Sequence, residues 1–134
     1  MDLRSASLRD KKMDLAGATG FVQATCERKV VIPRMKVADT LWVRGLGLMG
    51  KGSVPVAYGE GLFFPKCRSL HTCFMRFSLH MIFLDAGGQV LEVREGVGPW
   101  RIAKGPRGTH HCAETALDVG SVRVGAELVW ETVQ

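Results

Sequence analysis

Leu79-His80-Met81-Ile82-Phe83-Leu84-Asp85-Ala86-Gly87-Gly88-Gln89-Val90-Leu91-Glu92-Val93-Arg94 reads as two β-strands about a tight turn. Leu79–Leu84 and Val90–Arg94 are β-prone runs, and the Asp-Ala-Gly-Gly between them supplies the backbone freedom a hairpin needs. Working back toward the N-terminus, Leu70–Phe77 is another β-prone run, and Gly61–Phe64 is a short apolar strand closed by Pro65. Phe21–Cys26 and Val30–Ile32 flank Glu27-Arg28-Lys29, a second hairpin signal, and Pro33 predicts an edge or a bulge there. Toward the C-terminus, Trp100–Ala103 reads as a brief edge segment and His110–Leu117 as a strand. Gly120–Gly125 reads as a tight turn or one helical turn, and Glu127–Val133 as a closing strand.

One segment has a different period. Asp39 can cap a helix starting at Thr40, and Leu41, Trp42, Gly45, Leu46 and Met49 recur at helical spacing up to Gly50. Gly45 and Gly47 each weaken it by ~1 kcal/mol relative to Ala, so packing must hold it. Residues 50–60 read as a loop. The expected fold is mostly β (α+β): a compact, partly open barrel or folded antiparallel-rich sheet with one principal short helix. Residues 1–18 are polar, mixed in charge and aperiodic, and are expected to form a flexible arm. Residues 19–134 form the single globular domain.

A chain of 134 residues with 46% hydrophobic and 23% charged side chains is neither disordered, nor collagen-like, nor a coiled coil. No apolar stretch approaches the ~20 residues of a membrane span. The net charge of +5 is unevenly spread along the chain: +1 over residues 1–18, +3 over 19–36 and +1 over 37–134. The excess is a cluster at Arg28–Lys36, with no alternation of aromatic and basic residues of the kind that stacks bases. Nucleic acid is therefore not the expected partner, and a small molecule or a protein is. Cys26, Cys67, Cys73 and Cys112 show no C-x-x-C spacing. The start of the chain lacks the pattern of an export signal, so a cytoplasmic address is expected.

The densest polar chemistry is His71-Thr72-Cys73-Phe74-Met75-Arg76. On a strand, His71, Cys73 and Met75 share one face. Such soft ligands could meet a transition metal, with Cys67, His80, His110, His111 or Cys112 completing the shell, but no diagnostic metal spacing is present. No nucleophile elbow, zinc-protease helix or phosphate loop occurs, and the residues name no cofactor. His80 leads a face otherwise made of Ile82 and Leu84, so it stands at a rim or is buried with a partner such as Glu114.

The strings Ala38-Asp39-Thr40, Arg44-Gly45-Leu46-Gly47-Leu48-Met49-Gly50, Gly61-Leu62-Phe63-Phe64 and His71 through Asp85 together resemble the domain of unknown function 192 family, small proteins without an assigned reaction. Pro99-Trp100-Arg101, Glu114, Gly120 and Gly125 look like its later blocks, and the resemblance covers roughly residues 19–132. It implies a compact, mostly β fold with a short helix. Where the family usually has Pro-Ile-Asp or Pro-Leu-Asp, this chain has Ser78-Leu79-His80, so a histidine replaces the acid. Glu114 is retained without the family's following Pro, and Gly125-Ala126 replaces the usual Gly-Asp. Many members of the family are exported.

Together these features predict a non-catalytic ligand-binding or accessory module with its pocket beside the strand 70–77. Arg44, His71, Thr72, Met75, Arg76, His80, Trp100 and Glu114 are the expected lining, with Trp42 and Phe74 adding apolar walls. The alternatives are a hydrolase in which His71 or His80 acts as general base oriented by Glu114, and a transition-metal-binding protein.

Overall fold

The computed structural model describes residues 20–38, 54, 58–71 and 77–133. They form nine strands: β1 (Phe21–Cys26), β2 (Lys29–Val37), β3 (Gly61–Phe64), β4 (Ser69–His71), β5 (Leu79–Leu84), β6 (Val90–Val97), β7 (Ile102–Lys104), β8 (His111–Thr115) and β9 (Val129–Val133). Seven make one sheet in the order β6-β5-β8-β3-β2-β1-β9, and β4 and β7 make a separate two-stranded ribbon. All pairings are antiparallel except β2 with β3. The expected arm (1–18) and the expected helix (Thr40–Met49) lie outside the described residues, as do residues 72–76 of the Leu70–Phe77 run.

The hairpins form where the turn chemistry predicts. Glu27 and Arg28 both take left-handed backbone angles (φ 50° and 68°), which matches a two-residue turn to the strand twist. The β1–β2 register slips on both sides of Ala24, which pairs with Ile32, so the bulge falls beside Pro33. In the β5–β6 turn, Asp85 Oδ1 accepts N–H bonds from Gly87 and Gln89, both at 2.9 Å. Gly61 of β3 is required for a different reason: at φ 154°, a Cβ there would fall on the Glu114 backbone carbonyl of β8.

Alternation along the strands sends side chains to two cores. Val22, Ala24, Ile32, Met35, Val37, Phe63, Ile82, Leu84, Ala113 and Trp130 share the first. Leu62, Phe64, Leu79, Met81, Phe83 and Cys112 share the second, with Leu70 of β4 and Ala103 of β7 packed over them. Phe63 and Phe83 are both fully buried, and each such burial contributes about 2–3 kcal/mol.

The large sheet is folded over its first core. Trp130 of β9 stands three strands from Phe63 of β3, about 14 Å away were the sheet flat, yet their rings are 4.6 Å apart. The two edges also approach each other. Residues 125–128 bond to the start of β6 (Val90 N–H to Ala126, Gly125 N–H to Val90, Leu128 N–H to Gly88) before the chain enters β9. Strands β6 and β9 do not pair with each other, so the sheet stays open.

Candidate functional site

Strand register decides which predicted site residues can meet. In the β5–β8 ladder His80 lies opposite Thr115, and Met81 opposite Glu114. Directly paired residues share a face and neighbours alternate. Glu114 therefore faces the second core with Met81, Leu62 and Cys112, while His80 faces the other side with Ile82 and Leu84. Of the two places expected for His80, a rim or burial beside Glu114, the second does not hold, because the sheet backbone lies between them. His80 instead accepts the Gly96 N–H at Nδ1, 3.0 Å away, the work of a structural histidine at a hairpin rim.

Glu114 is 3% exposed, under the layer closed by Leu70 and Ala103. Burial, and secondarily the neighbouring Cys67 thiol, push its carboxyl up to about 8. At neutral pH it is a protonated acid, able to donate an O–H bond as well as accept one. Two thiols sit close by: Cys112 Sγ donates to the Cys67 carbonyl (3.1 Å) and Cys67 Sγ to the Ser69 carbonyl (3.0 Å). These bonds tie the β3–β4 connection to β8.

Three positions along β8, on the opposite face, His111 is equally buried at 3%. Its Nδ1 accepts the Lys66 N–H at 3.1 Å, so the ring proton is on Nε2. Burial, then the adjacent His110, hold its pKa down at about 4, against a smaller opposing effect of Asp85. The ring packs near Phe63 (5.7 Å) and edge-on to His110 (4.6 Å).

The other predicted residues fall as follows. Arg44, Thr72, Met75 and Arg76, with Trp42 and Phe74, lie outside the described residues. His71 ends β4, its backbone paired with Ile102. Trp100 precedes β7, is 62% exposed and takes a left-handed backbone conformation (φ 62°). Glu114 is thus buried on the sheet face whose core includes Leu70 and Ala103, and Trp100 is exposed. Among the described residues no three His, Cys, Asp or Glu side chains are placed to hold a metal ion.

Sequence reasoning missed a concavity on another part of the molecule. Where the sheet edges approach, a half-open cleft of about 660 Å³ is lined by Cys26, Glu27, Arg28, Asp85, Gln89 and Glu127 among others. The two hairpin-turn signals and the closing strand were legible, but nothing in sequence spacing brings them together. The cleft holds mixed charge and none of the strongly shifted titratable groups, so the buried acid beneath the ribbon is the stronger candidate.

A family model described as Uncharacterized ACR matches residues 22–127. The chain is 32% identical over 110 residues to a UPF0127 protein of Thermococcus sibiricus (strain DSM 12597 / MM 739), an alignment covering 77% of this chain and 70% of that one. Two solved structures share the fold. One is a putative transcription regulator from Sinorhizobium meliloti 1021 (TM-score 0.64, 16% identity, 83% of this chain and 91% of that one). The other is a protein of unknown function from Novosphingobium aromaticivorans DSM 12444 (TM-score 0.61, 15% identity, 92% of this chain and 96% of that one).

Proposed function

The chain belongs to the domain of unknown function 192 family, and from that premise we propose that it is a small non-catalytic binding module whose ligand enters beside residues 70–77 and meets Glu114. The observation that carries this reading is the carboxyl of Glu114, buried in an apolar layer and protonated at neutral pH. A group held in that state suits a neutral, polar ligand that offers a carbonyl or amide, since a charged partner would have to be desolvated with it. In this reading Arg44, His71, Thr72, Met75 and Arg76 supply the remaining contacts, the helix expected over Thr40–Met49 forms one wall, and Trp100 borders the entrance. A cytoplasmic address goes with it, supported by Cys26, Cys67 and Cys112 being carried as thiols. The hydrolase alternative retains only His71 as a partner for Glu114, because His80 lies across the sheet.

The test is an NMR titration of the ¹⁵N-labelled full chain with a panel of small neutral amides, alcohols and ketones. Saturable shifts centred on Leu62, Leu70, Met81, Ala103 and Glu114, kept in Glu114→Gln and lost in Glu114→Leu, support the reading. Saturable shifts confined to the cleft of Glu27, Asp85 and Glu127, or binding untouched by Glu114→Leu, overturn it.

A further inference from the structure

The β4–β7 ribbon has an outer side as well as an inner one. Leu70 and Ala103 form a cross-strand pair that faces the core, so their neighbours Ile102, Lys104 and Ser69 alternate outward, and all three are exposed. The Gly105 N–H bonds the Arg68 carbonyl and the Cys67 N–H bonds the His110 carbonyl, which extends the pairing beyond the strands. The ribbon and its flanks, residues 65–71 and 99–111, hold Lys66, Arg68, Arg101, Lys104 and Arg107 and no acidic residue. All five cations are exposed. Among the described residues Lys66, Arg68, Lys104 and Arg107 take part in no ion pair; of the two acids on the adjoining strand β6, Glu92 is bonded to Arg94 and Glu95 is exposed. Among these cations stand the two large apolar side chains Trp100 and Ile102, 62% and 80% exposed.

We infer that the exposed surface of the β4–β7 ribbon and its flanks is a binding surface for single-stranded nucleic acid, with Trp100 stacking on a base and Lys66, Arg68, Arg101, Lys104 and Arg107 contacting phosphates. Charge complementarity selects a polyanion. The exposed indole beside Arg101 selects one with stackable faces, because an aromatic ring among cations offers separate partners to base and phosphate. A lipid surface fits less well: it calls for a contiguous apolar face to insert, whereas here two exposed apolar side chains stand on a segment pair that carries five exposed cations. The net charge of residues 37–134 is only +1, but five of their ten basic groups lie on this ribbon and its flanks, which contain no acidic residue.

The experiment is fluorescence anisotropy of a fluorescein-labelled 20-nucleotide oligo-dT with the full chain, at 50 to 200 mM NaCl. Five phosphate contacts on a single strand give a log–log salt slope of about −3.5, hence roughly a 100-fold loss of affinity over that range. Trp100→Ala is expected to weaken binding about 10-fold, from the lost stacking, and Arg68→Glu/Lys104→Glu to abolish it. Arg28→Glu/Lys29→Glu makes the same charge change on the β1–β2 hairpin and is expected to alter affinity less than threefold, since all four positions are exposed and circular dichroism should stay unchanged. The inference is overturned by absence of binding at 50 mM NaCl, or by equal losses from the two charge reversals, which would mean attraction by net charge alone. Polyglutamate binding as tight as oligo-dT with Trp100→Ala without effect also overturns it. So does sedimentation with phosphatidylserine vesicles without oligo-dT binding, which would assign the surface to lipid.

Discussion

The two faces of β8 bury opposite kinds of titratable group. On one, His111 sits under Phe63 and is kept neutral because burial discourages its cation. On the other, Glu114 is buried and is kept neutral because burial discourages its anion. The difference lies in what each has for company. His111 Nδ1 takes a backbone N–H, an ordinary structural bond. Glu114 feels the Cys67 thiol and shares its sheet face with Cys112, two residues away on β8. An acid kept there for packing alone would be replaceable by a leucine, whereas one that meets a ligand, as proposed, would not.

The largest way to break the comparison is through the backbone that carries both faces. Gly61→Ala places a Cβ on the Glu114 carbonyl and forces an L-residue into φ 154°. The β3–β8 ladder must open there, and a loss of at least ~3 kcal/mol, comparable to the most disruptive single substitutions, is expected in urea denaturation. A loss below ~1 kcal/mol would mean that β3 and β8 can separate at this point without cost to either core.

The pH dependence comes next. Glu114 has a folded pKa raised from 4.5 to about 8, so its stabilising protonation is complete below 4.5 and is lost as pH rises through 8. His111 has a folded pKa lowered from 6.5 to about 4, so its contribution is complete above 6.5 and is lost as pH falls through 4. Between pH 4.5 and 6.5 the two slopes oppose each other. Their joint contribution is a plateau there and a decline from 6.5 to 8. Glu114→Gln is expected to remove the decline and let stability rise from pH 4 to 6.5, while His111→Gln should give a fall running from 4.5 to 8. Thermal melts across pH 4–9 distinguish these shapes. A decline above pH 6.5 that survives Glu114→Gln would place its origin outside the buried acid.

Much of the local structure was legible because it depends on neighbours in sequence. Asp85-Ala86-Gly87-Gly88 turns as its residues dictate, Pro33 sits at a bulge, and Gly61–Phe64, the run around Cys112 and the run ending at Val133 are strands. What could not be read was pairing at long range. Whether His80 and Glu114 share a face depends on a register of one residue between strands separated by 26 positions in the chain. The same blindness affected charge: Lys66 and Arg68 lie 33 or more positions before Arg101, so a tally along the chain dilutes a cluster that strand pairing concentrates. For the candidate site, Glu114 was named from the sequence and is buried in the fold; Cys112 lies two residues before it on β8, but Cys67 comes from the β3–β4 connection and only the fold brings it near.

The smallest expected effect sharpens the comparison at the edge of the ribbon. Glu92 and Arg94 form an ion pair on β6 with side chains about one-third exposed (34% and 35%). Arg94 does more than pair: its guanidinium lies 4.9 Å from the Phe83 ring centroid and donates to the Lys104 carbonyl of β7 at 2.8 Å. It thus bridges the large sheet to the ribbon over the second core. Glu92→Ala removes only the solvent-screened pair and is expected to cost less than ~1 kcal/mol. Arg94→Ala also strips the ring contact and the carbonyl bond, for about 1–2 kcal/mol. Hydrogen exchange adds the structural readout: Arg94→Ala should speed exchange of the Gly105 amide, which bonds to Arg68, more than that of the β1–β2 amides. Equal costs for the two substitutions, with the Gly105 amide unchanged, would show that the ribbon is held by Leu70 and Ala103 alone and that Arg94 plays no part in covering Glu114.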